Sequence, residues 1–187
     1  MVRALDGTPA SFAEWLADNP SVALADFASI AGAAEVVVNA TNGSATLDVL
    51  TQAGAPNLAG KVLLDVSNPL DFSQGFPPTL SVKDTDSLGE QVQRAFPEAR
   101  VVKSLNTLNA TLMVDPGLLP EPTTVFLSGN DPDAKSTVAT LLGEFGWSDI
   151  LDLGDITTAR GPEMWLPLWL RIMGPVGGPR FNLRIVR

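Results

Sequence analysis

The residues best equipped for chemistry lie in three short turns rich in Asn, Ser and Thr. They are Thr41-Asn42-Gly43-Ser44, Ser67-Asn68-Pro69-Leu70 and Lys103-Ser104-Leu105-Asn106-Thr107, each at the end of an aliphatic or β-branched run. In the first, backbone N–H groups, hydroxyls and a glycine at a helix start suit an oxyanion or an amide of a ligand. A plain strand-to-helix turn with an N-cap uses the same residues. In the second, Pro69 pushes Asn68 toward extended backbone, where its side chain can read a carboxamide with one donor and one acceptor. An Asx-turn before proline is the equal alternative. Lys103 suits a phosphate or carboxylate, although a solvated lysine at a strand end is the better reading. Each turn is a weak signal alone, but three of them at one sheet edge point to a polar ligand site.

The residue types that are absent narrow the chemistry further. The chain has no Cys, so it has no thiolate nucleophile, disulfide or Cys-based metal site. It has no His and no Tyr, which removes the usual acid/base near neutral pH and the phenol used by several reductase classes. An enzyme built this way needs chemistry with little proton transfer from protein side chains. Hydride transfer between two bound cofactors fits, because the protein then mainly sets geometry.

The elements that would position these turns alternate along the chain. A helix is expected over Ser11–Asp18, with Ser11 as N-cap and Glu14 completing a capping box. A short strand over Ser21–Ala25 and a helix capped by Asp26 follow. Glu35–Ala40 reads as a strand buried on both faces, Ser44–Ala53 as a helix stopped by Gly54, and Lys61–Val66 as the next buried strand. Ser67–Ser87 is irregular and long enough to line a pocket. Helix Leu88–Phe96, strand Arg100–Ser104, a short helix over Thr107–Val114 and strand Thr123–Ser128 come next. Asp131–Phe145 carries an Asp cap, Pro132 in its first turn and Gly146 just beyond its end. Asp149–Leu153 closes the strand series. The tail from Ile156 is helical until Gly174–Pro179, and Phe181–Val186 forms a last short strand or an extended arm.

This alternation predicts an α/β fold with a mostly parallel sheet. Ligands in such sheets sit beyond the carboxyl ends of the strands, at 41–44, 67–70, 105–109 and 129–131. Met164–Leu170 is apolar all round, so it is expected to be buried in the core or against a second subunit, or to form a cofactor-facing wall. Pro167 kinks this helix or marks its first turn. Arg171 and Arg180 read as solvated rather than as partners of an anionic ligand tail.

From about Glu35 onward the chain resembles the NADPH-dependent coenzyme F420 reductases, also called F420-dependent NADP oxidoreductases. The resemblance rests on VVVNAT, GKVLLDVSNPLDF, TDSLGEQVQRAFPEARVVKSLNT, LSGNDPDAK and DLGDITTARGPEMWLPLWLRIMG, in that order and spacing, over about four fifths of the chain. It implies a Rossmann-type domain that binds NADP(H), over 1–150, and a small helical segment, 151–187, with the deazaflavin F420 between them. Hydride would pass directly between the two cofactors. Carried over residue by residue, Ala40, Thr41, Asn42, Ser67, Asn68 and Pro69 border the nicotinamide side. Asn106, Thr107, Trp165 and Trp169 lie toward the deazaflavin.

One departure from the family pattern is large. A strand, Gly-x-Gly-x-x-Gly loop, helix and second strand are expected to open the domain, and Met1 stands where none of them has a counterpart. Gly7 sits in an isolated Asp-Gly-Thr turn. Without those strands Val36–Asn39 is expected to become an exposed apolar edge. The reading is therefore a Rossmann-type sheet lacking its amino-terminal βαβ unit. The alternatives are a silent or truncated paralogue acting as a binding or oligomerisation module, and an enzyme using flavin or a metal chelate in place of F420.

Composition sets the remaining bounds. The chain has 187 residues, 45% hydrophobic and 18% charged, with a net charge of −9. No segment concentrates Lys or Arg, so nucleic acid and anionic membrane are poor partners. Met164–Val176 is too short to span a bilayer and carries Arg171. A cytoplasmic homodimer with small-molecule cofactors is the expectation.

Overall fold

A computed structural model describes residues 2–3 and 10–187, with side chains from residue 13 onward. Its strands are β1 (Val2–Arg3), β2 (Leu24–Ala25), β3 (Val36–Asn39), β4 (Val62–Asp65), β5 (Leu70–Asp71), β6 (Thr79–Leu80), β7 (Arg100–Ser104), β8 (Thr124–Gly129) and β9 (Asp149–Asp152). The α-helices are α1 (Ala10–Asp18), α2 (Phe27–Ala33), α3 (Thr46–Ala53), α4 (Ala55–Leu58), α5 (Leu88–Ala95), α6 (Ala110–Val114), α7 (Pro132–Glu144), α8 (Arg160–Met164) and α9 (Leu166–Ile172). The turn at Asp6-Gly7-Thr8 lies outside the described residues.

The main sheet has five strands in the order β3-β4-β7-β8-β9, parallel except where β7 meets β8. Parallel strands need a crossover that travels the length of the sheet and back. After β7 the chain offers only α6, whose five residues rise about 7.5 Å. The proline-rich stretch 116–122 follows, and β8 begins at the edge where β7 ended. Gly129–Asp131 therefore lies at the opposite edge from the other polar turns, beside Arg100. The expectation that it joins them is corrected by this one reversal.

Period-two alternation sorts the strand residues onto two cores. Leu63 and Val101 face α2, α3 and α5, in a cluster with Ala31, Leu50, Leu88, Val92 and Ile156. Val62, Leu64, Val102, Val125 and Leu127 face α6 and α7, with Leu112, Val138, Leu142 and Trp147. Local caps agree with the sequence. Asp26 accepts from Ser29 N, Asp131 from Ala134 N, and Ser87 from Glu90 N. The helix α1 begins at Ala10, so Ser11 lies inside it rather than capping it.

Two further expectations change. β3 pairs only with β4 among the described residues, and Val38 is 53% exposed, so this strand is an edge and not buried on both faces. An apolar trough of about 730 Å³ runs along it, walled by Phe27, Ile30, Val37, Val49 and Leu50. The exposed apolar edge expected at Val36–Asn39 is thus present among the described residues. A short strand, β1, also pairs in parallel with β2, where the sequence suggested no strand.

The carboxy-terminal segment packs on the first core face. Pro167 sits in the first turn of α9, with Trp165 at the junction of α8 and α9. Leu166 and Trp169 are buried while Leu168 and Met164 are exposed, so this stretch is amphipathic rather than buried all round. Beyond α9 the chain turns over residues 173–179, and the irregular tail that follows stacks its Phe181 ring on Trp169 at 5.2 Å while the Leu183 carbonyl accepts from Thr124 N.

Candidate functional site at the carboxyl edge of the sheet

The strands β3, β4 and β7 run in register, with Asn39 beside Asp65 and Asp65 beside Lys103. Each is a polar residue closing an otherwise apolar run, and register partners on parallel strands share a face. Lys103 is not a solvated strand-end lysine. Its side chain is wholly buried, with Asp65 Oδ2 at 2.8 Å and Glu163 Oε1 at 2.9 Å. Its ammonium also donates to the Ser67 carbonyl at 2.6 Å. Burial works against the charge, but the attraction of Asp65 and Glu163 outweighs it and lifts the Lys103 pKa above the ordinary lysine value.

Glu163 comes from α8 and accepts from Leu88 N at 2.8 Å and Gly89 N at 3.0 Å. It therefore caps the start of α5 with its charge as well as pairing with Lys103. A second tie lies nearby, where Arg160 donates to both oxygens of Glu90 at 2.8 and 2.6 Å. That contact, more than the Ser87 hydroxyl, holds the Glu90 carboxyl below its usual range.

Above this cluster the polar turns converge. Asn68 and Asn106 form a reciprocal pair. Asn68 Nδ2 donates to the Asn106 carbonyl at 2.8 Å, and Asn106 Nδ2 donates to Asn68 Oδ1 at 2.9 Å. Leu105, at φ 61°, holds the left-handed conformation that turns the chain back for this contact. Gly43 lies directly against Asn68, so that a Cβ there would sit 1.9 Å from the Asn68 carbonyl oxygen. Only glycine allows that approach.

A cavity of about 310 Å³ opens between these turns. Thr41, Asn42, Ser67 and Asn68 give it polar walls, and Leu70, Phe72 and Met113 an apolar one. Its size is at the lower end for small-molecule sites. None of the side chains lining it titrates. Among the described residues, no group of three or more His, Cys, Asp or Glu could hold a metal ion.

The structure brings Ala40, Thr41, Asn42, Ser67 and Asn68 to this one cavity. Asn106 joins through its bond to Asn68. Pro69 stiffens the same turn, its carbonyl accepting from Ser81 N at 2.8 Å. Thr107 is buried, and its hydroxyl finds no hydrogen-bond partner among the described residues. Trp165 and Trp169 do not line the cavity, and their indole N–H groups are buried without partners among the described residues. Sequence reasoning missed Asp65, Glu163 and Asn39 altogether. The missed signal was positional: EVVVN, KVLLD and RVVK each end an apolar run on a polar residue at one register.

Fold and edge together define an α/β domain of Rossmann type, with a polar-walled cavity at the carboxyl ends of parallel strands. A crystal structure from Arthrobacter sp. FB24, described as a candidate F420-dependent NADP reductase, is 59% identical to this chain with a TM-score of 0.93. The match covers 94% of this chain and 80% of that one. The chain belongs to the F420-dependent NADP reductase family. A curated F420-dependent NADP reductase from Methanocaldococcus jannaschii is 28% identical over 114 residues, which is 59% of this chain and 50% of that protein. Metalloreductase STEAP3 of Rattus norvegicus is 31% identical over 119 residues, 62% of this chain and 22% of that protein. The chain thus spans half or less of the length of the curated relatives it matches. No protein-family model matches it. No helix among the described residues is long and apolar enough to cross a membrane.

Proposed function

We propose that this chain supplies the nicotinamide side of a site where hydride passes between NADP(H) and the deazaflavin F420. The observation that carries the reading is the cavity itself, in which polar turns face an apolar wall and no lining side chain titrates. Bound together, the two cofactors would supply the hydride donor and acceptor, and the chain needs only to align them and exclude water.

The residues present fit such groups. Ala40, Thr41, Asn42, Ser67, Asn68 and Pro69 would border the nicotinamide, with Gly43 leaving room at the turn. Asn106, Thr107, Trp165 and Trp169 would lie toward the deazaflavin. The unpartnered Thr107 hydroxyl and the two indole N–H groups support this, because buried polar groups normally find a partner. Residues 1–150 would form the nucleotide-binding part and 151–187 the helical cover. A cytoplasmic homodimer belongs to the same proposal, with exposed Met164 and Leu168 as apolar surface for a second copy. A thermal-shift titration with NADPH tests the reading. Saturable stabilisation is expected, and a melting temperature indifferent to NADPH contradicts it.

A further inference from the structure

We infer that Lys103 is a positioning residue whose buried ion-pair cluster makes the hydroxyls of Thr41 and Ser67 hydrogen-bond acceptors toward the cavity, selecting a ligand donor such as a primary carboxamide over a carboxylate. This rests on the nicotinamide reading of the cavity and adds its polarity.

The relay runs from charge to hydroxyl in forced steps. All three ammonium protons of Lys103 are used, on Asp65 Oδ2, Glu163 Oε1 and the Ser67 carbonyl. Asp65, ionised beside Lys103, can only accept. Its second oxygen takes the Ser67 hydroxyl at 2.6 Å, Ser67 N at 3.1 Å and Asn39 Nδ2 at 2.8 Å. The Asn39 amide must therefore present its NH2 to Asp65, which turns its Oδ1 toward Thr41. Thr41 donates its hydroxyl proton there at 2.7 Å. Thr46 Oγ1, 3.2 Å from Thr41 Oγ1, also lies on the inner side and has the Asn42 carbonyl as an acceptor at 3.3 Å, so both wall hydroxyls turn their protons inward and offer lone pairs to a ligand.

Neighbouring groups leave the polarity of these two hydroxyls unchanged. Asn68 gives one Nδ2 proton to the Asn106 carbonyl and its Oδ1 accepts from Asn106 Nδ2. Asn42 stands at the exposed rim with its oxygen committed to Ser44 N and Ser44 Oγ, which leaves its Nδ2 as a donor at that rim. Behind the wall, one ammonium faces two carboxylates, so the cluster carries a net negative charge. At the Thr41 and Ser67 hydroxyls a carboxylate would meet lone pairs in front and negative charge behind, whereas an NH2 group meets two acceptors.

NMR titration of the full chain with nicotinamide and with nicotinate tests this, alongside hydrogen exchange of the Asn39 side-chain amide. Glu163→Gln is the main variant, because it removes one carboxylate charge and leaves the Lys103–Asp65 pair intact, while its remaining amide oxygen keeps one of the two bonds to Leu88 N and Gly89 N. In the unaltered chain nicotinamide should bind at least about tenfold more tightly than nicotinate. E163Q should narrow that ratio and shift and speed exchange of the Asn39 amide, while amides of α7 stay unchanged. Thr41→Val, which removes one acceptor, should weaken nicotinamide without weakening nicotinate. Equal binding of the two probes, or a folded E163Q with unaltered Asn39 signals, overturns the proposal. If neither probe binds, the nicotinamide reading and the proposed selectivity fall together, and the Asn39 response then decides the positioning role alone.

Discussion

Lys103 and Glu163 meet at 2.9 Å with almost no side-chain exposure, which ties the helix α8 to the middle strand of the sheet through a buried ion pair. The pair belongs to a cluster in which each charge is hydrogen-bonded, the condition under which buried charges persist.

Lys103→Met is expected to destabilise the chain by about 3–5 kcal/mol, because it leaves Asp65 and Glu163 buried without a counter-charge. Urea unfolding measures this, and a loss below about 1 kcal/mol would mean that water reaches the cluster. The pH dependence has a defined sign. The folded pKa of Lys103 is raised, so its contribution is complete below the ordinary lysine value of 10.5 and is lost only as pH rises through a higher one.

Gly43→Ala should cost about 1–3 kcal/mol, since its Cβ would meet backbone rather than a flexible side chain. The Asn68–Asn106 pair should be disturbed with it. Gly143→Ala is the matched control: that helical glycine has open space around its Cβ position, so stability should rise by up to about 1 kcal/mol. Equal effects at the two sites would argue against the close approach at Asn68.

Much of this was legible in the sequence. The positions of the five main-sheet strands, the Asp26 and Asp131 caps, Gly54 and Gly146 as stops, and the gathering of the 41–44 and 67–70 turns follow from local rules. Three things were not. The reversal of β8 depends on a crossover too short to return, which strand periodicity does not register. The fate of Lys103 depends on cross-strand register and on Glu163, 60 positions along the chain, so a charged residue at a strand end looked solvated. The exposed face of Met164 and Leu168 depends on which side of α8 and α9 meets the sheet, and an all-apolar stretch carries no pattern to say so.

Asp86 should give an acid limb to the stability curve. The Arg94 guanidinium donates to both its oxygens, at 2.9 and 2.7 Å, and holds its pKa down to about 2 from the usual 3.8. A depressed folded pKa means stability fully present above the unfolded value and lost as pH falls from near 4 toward 2. Asp86→Asn should lower the melting temperature at pH 6 by an amount worth at most about 1 kcal/mol, because Arg94 is largely exposed. The gap between the two proteins should narrow as pH falls toward 2 and close only below it. A gap that persists there assigns the effect to something other than this charge.

The most direct test of the central claim is hydride transfer with NADPH deuterated at its transferable position. The protein, mixed with labelled NADPH and F420, is expected to yield reduced F420 carrying the deuterium, with flavin and ferric chelate as slower acceptors. Reduction of flavin or ferric chelate in preference to F420, or no oxidation of NADPH with any acceptor, would contradict it.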